Sequence, residues 1–355
     1  MHDGSDRAGL VELIVPFLAV IALCLAPGLA PVRQWLDRHR PATGAVETRA
    51  MIERQWLHLE QLAVRPGPPR SRVLLLGSSS VVNGVDLGLV AERWRERGLA
   101  LGPVNFGLTG FTAYELPFLR ELLLTPQTAA VVFLYNPFSF GDRFHPQAVG
   151  TRWDSGEALR FYRTGCRRFE MADARAFSVG LAGEALFAVR YRHLLRGMVG
   201  LALRGRLAEP RHDYDYPPDQ PALAKVPDQP EPPLPDDNWI RASYLASAAP
   251  GTLGACGLRR LADLLRRAGI PLVLGPVPEA DFADLGRYRQ GVDVEAVHRR
   301  AAASAVELAV PLLPRERAIE RDAALFRDET HLNPRGRAIY SRALADRLAS
   351  LLERR

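Results

Sequence analysis

Lysine is almost missing from this chain. Lys225 is the only one among 355 residues, so the net charge of +6 is carried by arginine. No run of consecutive basic residues interleaved with aromatics occurs, which argues against a nucleic-acid surface, and nucleic acid is not expected as a partner. Metal-binding spacings are missing too: there is no His-Glu-x-x-His and no paired Cys-x-x-Cys, so cofactor-free, metal-free chemistry is the expectation. The three cysteines form no framework. Cys24 lies in an apolar segment, and Cys166 could pair with Cys256 only if the fold brought them together. Buried free thiols are the simpler expectation. No internal repeat is visible. The apolar fraction of 47% and charged fraction of 24% are those of a folded globular protein. The length suits one large domain with additions.

One apolar stretch stands out, Leu10 to Val32. It is about long enough to cross a bilayer as a helix, with Glu12 near one end where it can reach the interface. Gly28 and Ala30 would suit a signal-peptide cleavage site, but Pro31 is a poor continuation, so an uncleaved anchor is expected. Arg7 precedes the segment whereas Arg33, Arg38 and Arg40 follow it, and the positive-inside rule would keep the main domain cytoplasmic.

The rest of the chain alternates. Val46 to Val64 reads as an amphipathic helix with Ile52, Trp56, Leu59 and Ala63 on one stripe, ended by Arg65-Pro-Gly-Pro-Pro69. Val73 to Leu76 is a short apolar run of the kind buried on both faces of a parallel sheet. Further strands are expected at Pro103–Phe106, Ala129–Tyr135, Ile270–Val277 and Val310–Leu313. Helices are expected at Leu87–Arg97, Thr112–Leu124, Leu253–Ala268 and Val292–Leu308, with a last one capped by Asn333-Pro334. This pattern predicts an α/β fold with a parallel sheet and crossover helices. The expected organisation is an anchor over 1–35, a linker with the amphipathic helix over 36–70, and a main domain over 71–355. An insertion over 138–237, helical and then proline-rich, interrupts that domain.

Gly77 breaks the first strand and three serines follow, where an open α/β sheet binds its ligands. A serine hydroxyl needs a base within reach, itself oriented by a third group. Asp328-Glu-Thr-His331, just before the final helix, supplies such a pair: Asp328 can hold one ring nitrogen while His331 offers the other to a serine. Glu295 and His298 share the spacing but fall in an amphipathic helix and read as a solvated face. His145, His193 and His212 have no partner pattern. Oxyanion donors are available after the second and third strands, at Gly110 and Asn136, with Gly107 as runner-up for the glycine.

The order Gly77-x-Ser79, Asn105-x-Gly107-x-x-Gly110, Asn136, Asp328-x-x-His331 resembles the four blocks of SGNH (GDSL-like) hydrolases. The first block normally has aspartate between glycine and serine. Here it is Ser78, a variant found in membrane-anchored branches of the family. The third block usually reads Gly-x-Asn-Asp, whereas this chain has Leu134-Tyr135-Asn136-Pro137. The resemblance covers residues 71–137 and 253–355. It implies a three-layer α/β/α sandwich, SGNH/flavodoxin-like, with Ser79 as nucleophile, His331 as base, Asp328 orienting it, and Gly110 and Asn136 at the oxyanion. The anchor and the Gly-Ser-Ser variant are similar to the extracytoplasmic factors that help acylate surface polymers. Those include alginate O-acetylation proteins and the teichoic-acid D-alanylation factor, which work beside a multi-pass membrane acyltransferase. The resemblance therefore implies an extracytoplasmic esterase or O-acyltransferase acting on an acyl ester and a cell-surface glycan or polymer. The alternative is a catalytically silent module of the same fold that docks an acyltransferase or binds glycan.

Overall fold

Four parallel strands form the sheet among the described residues: β1 (Arg72–Gly77), β2 (Gly102–Gly107), β3 (Thr128–Tyr135) and β4 (Leu272–Pro276), in the order β2-β1-β3-β4. The computed structural model describes residues 48–141, 253–281 and 289–353, with shorter stretches and single positions between 163 and 248. Among these residues no helix is long and apolar enough to cross a membrane. The expected anchor at 10–32 and most of the proline-rich half of the insertion lie outside them.

The strand order fixes which face each connection covers. β1 to β2 steps one way across the sheet, and β2 to β3 steps back past β1. Right-handed crossovers therefore put the two connections on opposite faces. On the first face lie α2 (Ser79–Gly84) and α3 (Leu87–Glu96), joined by the final helix α10 (Pro334–Leu352). There Val73, Leu75, Val132, Trp94, Tyr340 and Leu344 share one buried cluster. The Trp94 indole nitrogen donates to the Ala345 carbonyl at 3.0 Å, and Asp86, which caps α3, donates its N–H to Ser341 Oγ at 2.8 Å. The second face carries the 3₁₀ segment Ala113–Leu119, α4 (Arg120–Leu123) and α7 (Leu253–Arg267). Gly257 of α7 lies so close to Ala113 and Tyr114 that a Cβ there would strike their backbone.

Prolines account for two departures from the expected elements. The helix predicted at Thr112–Leu124 splits because Pro117 lacks the N–H that an α-helix needs there, so its first part winds as 3₁₀. The predicted strand Val310–Leu313 shrinks to one parallel bridge, Leu274 to Leu312, bracketed by Pro311 and Pro314. Elsewhere the predicted ends fall within about two residues of the observed ones. α7 closes at Gly269 with φ 64, and α8 (Val294–Leu308) is capped by Asp293. Asn333 caps α10 by accepting from the Gly336 N–H at 3.0 Å.

The helix α1 (Thr48–Val64) belongs to a second, smaller compact unit for most of its length, together with residues of 169–212. It is held there in part by two glutamates outside the expected stripe. Glu53 accepts from the Leu194 N–H at 2.7 Å, and Glu60 accepts from Trp56 and from Arg190, each at 2.8 Å. Burial wraps past the expected stripe to Leu57, Gln55 and Glu53. Cys256 on α7 is disulfide-bonded, against the expectation of free thiols; Cys24 and Cys166 lie outside the described residues.

Candidate active site

Three serines in a row follow β1, and burial separates them. Ser78 and Ser80 are 1% and 2% exposed, whereas Ser79 is half-buried and reachable. The cause lies in Gly77, where a Cβ would strike the Val81 side chain and the Leu134 carbonyl. The chain can therefore fold sharply from strand into α2. Ser78 is the cap of α2, its Oγ accepting from the Ser80 N–H at 3.3 Å, and Ser79 opens the helix at the carboxyl end of β1.

His331 reaches this serine from 252 positions away, its Nε2 lying 3.0 Å from Ser79 Oγ. The other ring nitrogen, Nδ1, lies 2.8 Å and 3.1 Å from the two Asp328 carboxylate oxygens. A carboxylate only accepts, so Nδ1 carries the proton and donates to Asp328, leaving Nε2 to accept from the serine hydroxyl. The residue order Asp328, His331, Ser79 is thus a continuous hydrogen-bond line.

Asp328 is itself fixed by its own turn. Its Oδ1 accepts from the N–H of His331 at 2.9 Å, the N–H of Thr330 at 3.0 Å and the Thr330 hydroxyl at 3.2 Å. Burial pushes the Asp328 carboxyl up, but the His331 hydrogen bond and charge, the Thr330 N–H and Arg327 together outweigh it and hold it below its usual range. The turn is closed at its base by the Arg327 N–H donating to the His331 carbonyl at 3.0 Å, and by an antiparallel bridge from Phe326 to Leu332.

The expected oxyanion donors divide. Gly110 sits in the turn after β2 with φ 69, a backbone state that suits glycine, and its N–H has no acceptor among the described residues. The Ser79 N–H is free in the same sense. Gly107, the runner-up, donates its N–H to Asn105 Oδ1 at 2.8 Å and is already engaged. Asn136 departs from its expected part. Its side-chain amide donates to Ser78 Oγ at 2.9 Å and to Ser80 Oγ at 3.3 Å, while its oxygen accepts from the Ser139 hydroxyl at 2.7 Å. At 1% exposure it is a buried brace under the serine turn, with both amide hydrogens in use. Sequence reasoning missed Thr330, Ser139 and Arg327. Thr330 and Ser139 were visible as short-range turn formers at fixed offsets from Asp328 and Asn136.

The rival pair comes apart. Glu295 binds Arg315 and Arg317, not His298. His298 is no solvated residue: it is half-buried, 3.3 Å from the Tyr135 hydroxyl, and burial with Arg315 close by pushes it down to about 4. His145 and His212 lie outside the described residues.

A second buried group lies behind the site. Glu279 accepts from Arg289 at 3.0 Å and from the Tyr244 hydroxyl at 3.5 Å, and the next residue, Ala280, donates its N–H to the Glu329 carbonyl in the Asp328–His331 turn at 3.2 Å. Burial pushes Glu279 up to about 7, against the pull of Arg289. No family model matches the chain, and neither does any curated protein.

Proposed function

We propose that the protein is a serine-dependent acyl-transfer enzyme, an esterase or O-acyltransferase acting on a cell-surface glycan or polymer. The observation that carries this reading is the hydrogen-bond line from Asp328 through His331 to Ser79. In the first step Ser79 Oγ attacks the acyl carbonyl and His331 Nε2 takes the hydroxyl proton. Charge moves onto the carbonyl oxygen, where the Ser79 and Gly110 N–H groups receive it. The carbonyl re-forms, the bond to the leaving alkoxide breaks, and His331 returns the proton to that oxygen, leaving the acyl group on Ser79. Water or a sugar hydroxyl then repeats the sequence in reverse roles. Asp328 stays ionised and holds the imidazole in the tautomer each step requires.

The fold supports the finer reading as well. A β2-β1-β3-β4 order with a nucleophile beyond β1 is what a three-layer SGNH, flavodoxin-like sandwich would have, since its ligands sit where strand order reverses. The disulfide at Cys256 favours an oxidising compartment and hence an extracytoplasmic domain on the expected single-pass anchor, despite the arginines that follow that segment. A multi-pass membrane acyltransferase is the partner this layout implies.

The test is a pre-steady-state assay of the full-length chain in non-ionic detergent with p-nitrophenyl acetate. A burst of nitrophenol equal to the enzyme concentration, then slower turnover, is expected. Acetyl appearing on an added glycan marks a transferase, and acetate alone an esterase. Neither burst nor turnover would leave the silent docking module as the better account.

A further inference from the structure

The Asp328–His331 turn holds one hydroxyl that the acyl-transfer scheme leaves without a part. Thr330 Oγ1 lies 3.0 Å from His331 Nδ1 and 3.2 Å from Asp328 Oδ1, and these two atoms are its only partners among the described residues. The three groups meet at the ring nitrogen that does not face Ser79.

Proton counting fixes what the hydroxyl does. A neutral imidazole has one N–H, and a carboxylate has none to give. If the Thr330 hydroxyl donated to Nδ1, that nitrogen would turn a lone pair toward Asp328 Oδ1 at 2.8 Å with no proton between them. Nε2 would then carry the ring proton and could not accept from Ser79 Oγ. With Nδ1 protonated, the hydroxyl donates to Asp328 Oδ1 instead and presents an oxygen lone pair to the Nδ1–H. Asp328 therefore sets the direction of the hydroxyl, and the hydroxyl gives the ring a second acceptor.

Position makes that acceptor useful. The Asp328 side chain is 47% exposed, so water competes for its oxygens, and Arg327 Nε draws on Oδ2 from 3.3 Å. The Thr330 hydroxyl sits on Oδ1, the oxygen nearer Nδ1. As Nε2 takes the serine proton, the ring becomes an imidazolium and its Nδ1–H gains positive charge. Its contacts with Asp328 Oδ1 and Thr330 Oγ1 then strengthen together. A contact that strengthens only as charge develops raises kcat and leaves substrate binding alone.

We infer that Thr330 is a positioning residue for acyl transfer, its hydroxyl holding His331 in the Nδ1–H tautomer and supporting the imidazolium that forms. The assignment rests on the serine-dependent reading above. Thr330 acts through His331 and Asp328.

Thr330→Val keeps the branched shape and the backbone N–H that donates to Asp328, and removes only the hydroxyl. The measurement is steady-state hydrolysis of p-nitrophenyl acetate by the full-length chain in non-ionic detergent. A fall in kcat of about tenfold is expected, with KM within about twofold, and Thr330→Ser should recover to within about threefold of wild type. Thr330→Ala should match Thr330→Val, so a folding fault in one variant does not decide the matter. The Asp328→Asn background separates orientation from packing. There the carboxylate that sets the hydroxyl is gone, and adding Thr330→Val is expected to change kcat by less than about twofold. A threonine that merely packs would cost the same factor in both backgrounds. Equal losses in the two backgrounds, a wild-type kcat in Thr330→Val, a loss carried by KM, or a serine variant as slow as the valine one would overturn the assignment and leave Ser79 as nucleophile. A wild type that turns over no ester would overturn the reading beneath it, and this assignment with it.

Discussion

Two acid–histidine pairs at the same i, i+3 spacing end in opposite arrangements. Asp328 and His331 lie in a turn, and Glu295 and His298 lie in α8. In the turn, the short aspartate is pinned by backbone N–H groups and stays 2.8 Å from the imidazole Nδ1, with the Thr330 hydroxyl at 3.0 Å beside it. In the helix, the longer glutamate reaches out to Arg315 and Arg317, and the imidazole turns inward to Tyr135. Spacing brings the pair within range; backbone shape and nearby arginines decide whether it forms. Asp328 keeps its imidazole although Arg327 lies 3.3 Å from its Oδ2, because its own turn holds the other oxygen at the ring.

Substitutions can break this contrast. The largest effect is expected from Ser79→Ala and His331→Ala, each lowering ester turnover about 10³-fold or more, and the double variant should be little worse than either alone. Steady-state hydrolysis of p-nitrophenyl acetate measures all three. Asp328→Asn should lower kcat about 10²- to 10⁴-fold with KM nearly unchanged, because the amide favours the wrong tautomer; Glu295→Gln should stay within about twofold of wild type. A weaker result is expected at Asn136→Ala, about tenfold in kcat, since it would loosen Ser78 and the helix start without removing an oxyanion donor. A loss at Asn136 as large as that of Ser79→Ala would show it acting on the substrate directly. His298→Ala should leave activity unchanged and lower stability by about 1–2 kcal/mol, through the buried Tyr135 hydroxyl it abandons.

The most specific effect concerns pH. Glu279 titrates at about 7 in the folded chain against an ordinary value of 4.5. The folded state therefore binds the extra proton between those values, and stability falls as pH rises through that window. It is full below about 4.5 and lowest above about 7, a difference of roughly 3 kcal/mol at most. Chemical denaturation of wild type and Glu279→Gln across pH 4.5 to 8 isolates this contribution as the difference between the two curves. Parallel curves would remove Glu279 as the source.

Much of the sheet was legible because strands buried on both faces are continuous apolar runs, as at Val73–Leu76 and Ala129–Tyr135. The helix cap at Asn333-Pro334 was equally plain, since its signal is local. What failed to show was contact between distant segments. The buried side chains of α1 find their partners near residue 190, and Cys256 its disulfide, in ways no local pattern specifies. Asn136 is the sharpest case at the site. Its position after β3 was readable, but the two serine hydroxyls that take up its amide belong to another strand's turn. Ser79, His331 and Asp328 could be read from the sequence as a set because each member carries its own chemical signature, and they lie in one hydrogen-bond line. The final arrangement then needed only that β1 and the turn before α10 meet at one edge.

The most direct measurement is intact-mass analysis of the full-length chain after exposure to a fluorophosphonate, with the adduct located by peptide sequencing. One phosphonyl group on Ser79 is expected, together with its loss in Ser79→Ala and strongly slowed labelling in His331→Ala. An unlabelled wild-type chain, or an adduct that persists unchanged in Ser79→Ala, would contradict the account.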